Sequence, residues 1–344
     1  MTSLLSRQVF GIKPVAAAAV VGLFAALFIG PPAYGQFLPQ RLMDYLIFGL
    51  PALAVALIAG HARLLNVGVG ATFGVGAYAV AILTHHGVLN PMLLMVAALA
   101  AGLASSVLFA IYAVVSTGLE YLLLTLLTTS AFFSLPLLFT SLTGGENGLP
   151  VKGVVDISFG LDPLQGNGFY WLTCAVTAFW LLLSWFLLSS RAGRVTTAIG
   201  RNPLRAAAMG YSVTAYKVAV TLYSGLIAAS AGWLYALDHG FVFQDLLGLG
   251  DSINFVLYSL IGGVETVVGP LLGTAALRYL GEYLGQQSTQ SQLYVGVALL
   301  LVVYLLPGGV IGGIRQLWSL RQRRHGAPDA AAEGVLGSPD SIEI

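Results

Sequence analysis

Arg191, Arg194, Arg201 and Arg205 crowd into one polar stretch set between two long apolar runs. Around them the order is Ser190, Arg191, Ala192, Gly193 and Arg194, then Ile199 to Pro203, then Ala206, Ala207 and Gly210. Asn202 can cap a helix whose first residue is Pro203, and Gly210 can end it. A short water-exposed helix held between two apolar rods can press on another protein; the plain alternative is a solvated basic loop. A second constellation sets a carboxylate, Glu265, beside the break Gly262-Gly263 and ahead of Gly269, Pro270 and Gly273. An acid at membrane depth is a functional residue by default, whereas the same acid at an interface is ordinary, and the sequence allows both. A third gathers Asn66, Gly68, Gly70, Gly74 and Gly76. Gly70 and Gly74 share one helical face, so a second backbone can approach closely, either as tight packing or as the lining of a solute path. The run Thr143, Gly144, Gly145, Glu146, Asn147, Gly148, Leu149 and Pro150 is turn chemistry. It is either a loop or a ledge on which a partner docks. Arg278 and Glu282 lie four apart and are expected to neutralise each other along one helix face.

Catalytic patterns are missing. The chain has no G-x-x-x-x-G-K-[ST] loop to cradle nucleotide phosphates, no H-E-x-x-H and no G-x-S-x-G. His85 and His86 fall in a short turn rather than at ligand spacing on a helix. The single cysteine, Cys174, sits in an apolar run and reads as a small core residue. Basic residues are scattered outside the 191–205 stretch and the cluster at Arg321, Arg323 and Arg324, so nucleic acid is not an expected partner.

The elements that must hold these groups are hydrophobic rods. Only 8% of the residues are charged, 57% are hydrophobic, and the mean hydropathy is +0.86. A soluble domain carries about 25% charged residues, and a charge in hydrocarbon costs roughly 2.5–3.5 kcal/mol even on the lenient insertion scale. Spans are expected at 15–29, 42–59, 64–83, 92–115, 119–142, 169–188 and 215–237, with shorter pieces at 253–261, 267–284 and 293–306. The first run could also serve as a cleaved signal peptide. The fold class expected is all-α, a polytopic membrane protein with about ten spanning or part-spanning helices. A re-entrant piece near Gly262 would change the number by one.

Lys and Arg in short loops set the orientation. Arg7 and Lys13 place residues 1–14 in the cytoplasm, and His61, Arg63 and the 190–213 loop return there. The 143–168 stretch then lies outside. Residues 15–314 form the membrane domain, and 315–344 form a cytoplasmic tail whose Ala, Gly, Pro and acid content predicts disorder.

Taken in order, these segments resemble the branched-chain amino-acid permease family of ATP-binding cassette importers, in particular its longer, LivM-type permease subunit. Permeases for urea and short amides are similar too. The resemblance runs over about 42–312 and rests on Asn66-Val67-Gly68 with Gly74 to Tyr78, on Thr143 to Leu149, on Gly193-Arg194 through Ile199, Arg201-Asn202, Ala206-Ala207 and Gly210, on Gly262-Gly263, Gly269-Pro270 and Gly273, and on Pro307, Gly309 and Gly312.

It implies a permease fold without an ATPase site of its own. It further implies a second homologous permease subunit, two cytosolic ATPases that hold ATP and Mg, and a periplasmic or extracellular solute-binding protein. This chain would bind no cofactor or metal itself and would reside in a bacterial inner membrane. Arg191, Gly193, Arg194, Arg201, Asn202, Ala206, Ala207 and Gly210 would couple to the ATPases. Asn66, Gly68, Gly70, Gly262, Gly263 and Glu265 would border the path, and Thr143, Gly144, Gly145 and Asn147 the external loop. The solute implied is a branched-chain or related hydrophobic amino acid, with urea or a short amide as the alternative. The chain departs from the family pattern at Asn66 and Val69, where serine and histidine are usual, at Arg63, where glycine is common, and at Leu204-Arg205, where an acid and alanine often stand. The first departures bear on solute choice and the last on individual ATPase contacts. A stand-alone secondary transporter would instead need a coupling carboxylate, for which Glu265 and Glu120 are the candidates.

Overall fold

A computed structural model describes residues 37–153 and 168–287. The expected span at 15–29, the short piece at 293–306, the N-terminal and C-terminal cytoplasmic segments and the rest of the 143–168 stretch lie outside the described residues.

Helix α1 covers Phe37–Leu57 and widens into a π turn at Ile58–Ala62, which stops at Arg63 in the left-handed region (φ 53°). The expected span at 64–83 is divided: residues 64–68 are irregular and helix α2 begins only at Val69, ending at His85. Asn66 explains that entry, because its Oδ1 accepts the Gly68 amide at 2.8 Å and turns the chain into the helix. Helix α3, Pro91–Val115, is capped by Asn90, whose side chain accepts the Met92 amide at 3.0 Å with proline at the first position. Helix α4 is Leu119–Leu138 and α5 a single turn at Thr140–Thr143. Helix α6, Gly168–Ser189, leads into α7, Arg191–Arg201, and α8, Pro203–Ala208. The long helix α9 spans Val213–His239, and α10 (Leu249–Gly262) and α11 (Gly269–Gln287) complete the order.

One correction to an all-α fold is small. Strand β1, Leu149–Pro150, pairs antiparallel with β2, Phe241–Val242, with Leu149 opposite Val242. This ladder fastens the loop after α4 to the end of α9 and marks one end of the bundle. Helices α7 and α8 mark the other.

Among the described residues, five helices are long and apolar enough to cross a membrane: Pro39–Ala62, Pro91–Val115, Leu119–Leu138, Gly168–Ser189 and Val213–His239. Burial sorts them into layers. The most apolar windows of α1 and α9 are 78% and 67% buried, against 39%, 28% and 33% for α3, α4 and α6. Leu123 and Leu127 of α4, Val107 and Ile111 of α3, and Phe179 and Phe186 of α6 are exposed. A water-soluble protein would not present such faces; against lipid tails they carry no penalty.

Small residues bring the inner helices together. A side chain at Gly102 of α3 would meet Ala229 of α9, one at Gly76 of α2 would meet the Ala229 backbone, and one at Gly232 would meet the Phe73 carbonyl. Close backbone approach replaces the hydrophobic drive that is lost inside a bilayer.

Helices α10 and α11 form an antiparallel hairpin around the break at residues 263–268. Gly263 sits at φ 102°, a conformation open in practice only to glycine. Thr266 closes the turn: its hydroxyl donates to the Gly263 carbonyl at 3.0 Å and accepts the Gly269 amide at 3.1 Å. With 14 residues, α10 is roughly 21 Å long and so spans only part of a hydrocarbon core of about 30 Å.

Candidate functional site

The 190–213 segment is more structured than a loop with one short helix. Ser190 caps α7, accepting the Gly193 amide at 3.4 Å, and the Arg194 guanidinium donates to the Ser189 carbonyl at 2.9 Å. A side chain at Gly193 would press on the Leu187 and Leu188 backbone, so glycine permits the tight α6–α7 corner. Asn202 then ends α7 and caps α8, its Oδ1 accepting the Arg205 amide at 3.0 Å, and Gly210 (φ 85°) turns the chain towards α9. Among the named positions, Gly193 and Ala206 are buried, while Arg191, Arg194, Arg201, Asn202, Ala207 and Gly210 are exposed. Leu204 is 83% exposed and Met209 61%, an apolar tip on a helix that sits beyond the membrane rods.

The inner side of α7 touches the π turn of α1. Ile199 is buried, and a side chain at Gly200 would overlap the His61 carbonyl oxygen. On its other flank the same turn meets the helical hairpin: a side chain at Gly60 would overlap the Val264 carbonyl oxygen. The segment 58–62 is therefore clamped between α7 and the break beside Gly262, Gly263 and Glu265. The sequence did not show this bridge, because an i to i+5 turn has no composition signature.

The remaining path candidates occupy two levels. Asn66 is buried and spends its carbonyl on Gly68; Gly68 lies against the Phe109 ring and Gly70 against Ser252 of α10. Gly262 lies against the Gly269 and Pro270 backbone, and Glu265 is exposed at the loop end of the bundle. In the 143–150 stretch, the buried Thr143 hydroxyl lies 2.8 Å from both the Pro136 and Phe139 carbonyl oxygens, while Gly144 (φ 77°) and Gly145 (φ 62°) shape the turn and Asn147 stays exposed.

At the ladder end lies a polar site that sequence reasoning missed. A cavity of about 620 Å³ opens between α1, α9, α10 and α11, with Asp245, Asp251, Arg278, Glu282, Tyr235 and Tyr258 on its wall. A second cavity of about 480 Å³ adjoins it and shares Asp245, Asp251 and Asn254. The expected Arg278–Glu282 neutralisation is replaced by partners across the bundle. Arg278 Nη2 is 2.7 Å from Asp44 Oδ2, and Glu282 accepts the Tyr45 hydroxyl at 3.0 Å with Arg41 3.7 Å away. The Arg278 guanidinium also lies 3.7 Å over the Phe48 ring. Beneath it, Phe48, Phe73, Tyr235 and Phe255 interlock with centroids 5.4–6.0 Å apart, a closed aromatic floor. The available signal was Asp44 and Arg278 inside apolar runs, since acids and bases at such depth turn to each other or to a cavity.

Comparison with known proteins fits this architecture. The family described as branched-chain amino acid transport system / permease component matches residues 39–306. The Autoinducer 2 import system permease protein LsrC of Enterobacter sp. (strain 638) is 30% identical over 268 residues, covering 74% of each chain. The high-affinity branched-chain amino acid transport system permease protein LivM of Salmonella typhimurium is 24% identical over 300 residues, 78% of this chain and 68% of that protein. The fructose import permease protein FrcC of Rhizobium meliloti is 28% identical over 153 residues, 42% of each. No solved structure matches. The match over most of the chain, on a helical bundle of apolar rods, places this protein in the branched-chain amino acid transport system permease component family.

Proposed function

We propose that this chain is the membrane-spanning half of an ATP-driven importer for a branched-chain or related hydrophobic amino acid. The observation that carries the reading is the α7–α8 segment: it offers an exposed Leu204 and Met209 tip while its inner face is fixed to the π turn of α1. A lever of this kind suits a motor held on a separate protein. In the proposal two cytosolic ATPases, carrying ATP and Mg, move the lever. A second homologous permease completes the path, and a solute-binding protein delivers cargo to the ladder end. The ladder end is then outside, both termini are cytoplasmic, and about ten helices cross or enter a bacterial inner membrane.

The LivM relative supports an amino-acid cargo, whereas the LsrC and FrcC relatives carry other import names. Urea or a short amide remains the alternative cargo. Uptake into proteoliposomes holding the full complex tests the reading. Leucine uptake should require ATP and collapse when residues 203–208 are replaced by a flexible linker; full-rate uptake with the linker overturns it. A stand-alone secondary transporter would need a coupling carboxylate: Glu265 and Glu120, the two that the sequence offered, are both exposed, and Asp44, within the apolar helix Pro39–Ala62, is the acid that supports this reading. Uptake that survives ATP depletion and collapses with a protonophore would favour that reading.

A further inference from the structure

We propose that the cavity at the ladder end is a recognition station for zwitterionic solutes, in which Asp245 and Asp251 take the solute ammonium and the Arg278 guanidinium takes its carboxylate. This rests on the permease reading above and adds to it the residues that read the cargo.

The charges around the cavity divide into two sets. Arg278 is held by Asp44 at 2.7 Å, and Glu282 by Tyr45 and Arg41. Among the described residues the ion pairs are Arg41–Glu282, His239–Asp44, His239–Asp238 and Arg278–Asp44, so none includes Asp245 or Asp251. Those two carboxylates stand on the wall common to both cavities, beside Asn254. Asp245 is exposed, and Asp251 accepts a hydrogen bond from Asn254 and lies within the field of Arg278, but with Glu282 the acids on this wall outnumber the cations, so the cavity attracts a bound ammonium.

The cation chemistry follows from the surroundings. Among the described residues no group of three or more His, Cys, Asp or Glu side chains is disposed to hold a metal ion. The wall carries instead the rings of Tyr235, on which His239 stacks at 4.0 Å, and of Phe243 and Tyr258, and aromatic surroundings of this kind suit an organic ammonium. A neutral polyol could hydrogen-bond the carboxylates but would gain no Coulombic attraction from them. Arg278 completes the match. A guanidinium has five donors in a planar fork, and the contact with Asp44 leaves donors that can turn to a solute carboxylate. The volume of about 620 Å³ falls within the roughly 300–1,000 Å³ typical of small-molecule sites.

The test uses the full importer complex in proteoliposomes, with labelled leucine as cargo and isoamylamine or isoamyl alcohol added outside at millimolar concentration. Isoamylammonium should inhibit leucine uptake and the alcohol should not. In Asp245→Asn/Asp251→Asn that inhibition should weaken by at least about tenfold, since the loss of even one of the two charge-assisted contacts gives that much, with leucine uptake falling in parallel. Asp251→Glu should recover most of both, which separates charge recognition from misfolding. Leucine uptake and amine inhibition unchanged in the double Asn variant, or equal inhibition by the alcohol, overturns the cavity assignment while leaving the amino-acid importer intact. A wild-type complex that imports labelled fructose and not leucine overturns the amino-acid reading itself, and this inference with it.

Discussion

Arg278 on α11 bonds Asp44 on α1 at 2.7 Å, across the bundle, although Glu282 stands one turn away on its own helix. The choice has an energetic reason. Asp44 sits inside an apolar helix where an unpaired carboxylate is costly, whereas Glu282 reaches Tyr45 and Arg41 near the helix start. Removing one partner of a buried pair costs roughly 3–5 kcal/mol. These side chains keep 24% and 20% exposure, so Arg278→Gln should cost about 2 kcal/mol. Thermal unfolding in detergent measures it, and Asp44→Asn/Arg278→Gln should lose less than the sum of the single changes. Equal melting of Arg278→Gln and wild type would show that the pair does not hold α1 to α11.

A second prediction concerns the clamp on the π turn. Gly60 within the turn touches the Val264 carbonyl on one flank, and Gly200 of α7 on the other flank touches the turn's own His61 carbonyl; both contacts are to backbone and not to a flexible side chain. Gly60→Ala and Gly200→Ala should therefore shift the backbone and weaken the link between α7 and the hairpin break. A coupling energy of the usual size corresponds to roughly 5- to 150-fold. Uptake should fall by about tenfold, more than ATP hydrolysis by the complex falls. Parallel loss of both activities, or no loss, would remove the π turn from the route between lever and path.

The exposed tip of the lever gives a third. Leu204 and Met209 should rest on the ATPase surface, so Leu204→Glu should abolish co-purification of the ATPases while the permease remains in the membrane. Asn202→Ala should act differently. It deletes the cap on the Arg205 amide, worth about 1 kcal/mol, and should weaken but not abolish the association. Retention of the ATPases by Leu204→Glu would mean that another surface docks the motor.

Much of this was legible in the chain. Apolar runs locate the five membrane-length helices among the described residues, because one charge at depth outweighs many small preferences. The helix between Asn202 and Gly210 was readable from cap, proline and glycine in sequence. The expected span at 64–83 was not, since Asn66 turning the chain onto Gly68 is a single local hydrogen bond inside an unbroken apolar run. The polar cavity was hidden for a different reason. Asp44, Asp251 and Arg278 are far apart in sequence, and local spacing favoured the i to i+4 partner, Glu282, over the one that tertiary packing brings closer.

The hairpin break supplies a prediction that separates backbone strain from loss of space. Gly263 holds φ 102°, where a β-carbon is strained at a cost of about 1–3 kcal/mol. Gly250, in the first turn of α10, has an ordinary φ and no atom within 4 Å of the site of a β-carbon. Alanine at Gly250 should leave the melting temperature unchanged or raise it slightly, through lower freedom of the unfolded chain. Alanine at Gly263 should lower it, because Thr266 fixes the turn at both ends and leaves no way to relax. If uptake follows the melting temperature in Gly263→Ala, the break serves only to fold the hairpin. A larger loss of uptake than of stability would show that the bend at 263–268 also moves during transport, since the strain of the alanine would then differ between states of the cycle. Equal melting of the two variants would mean that φ at residue 263 is not fixed by the hairpin.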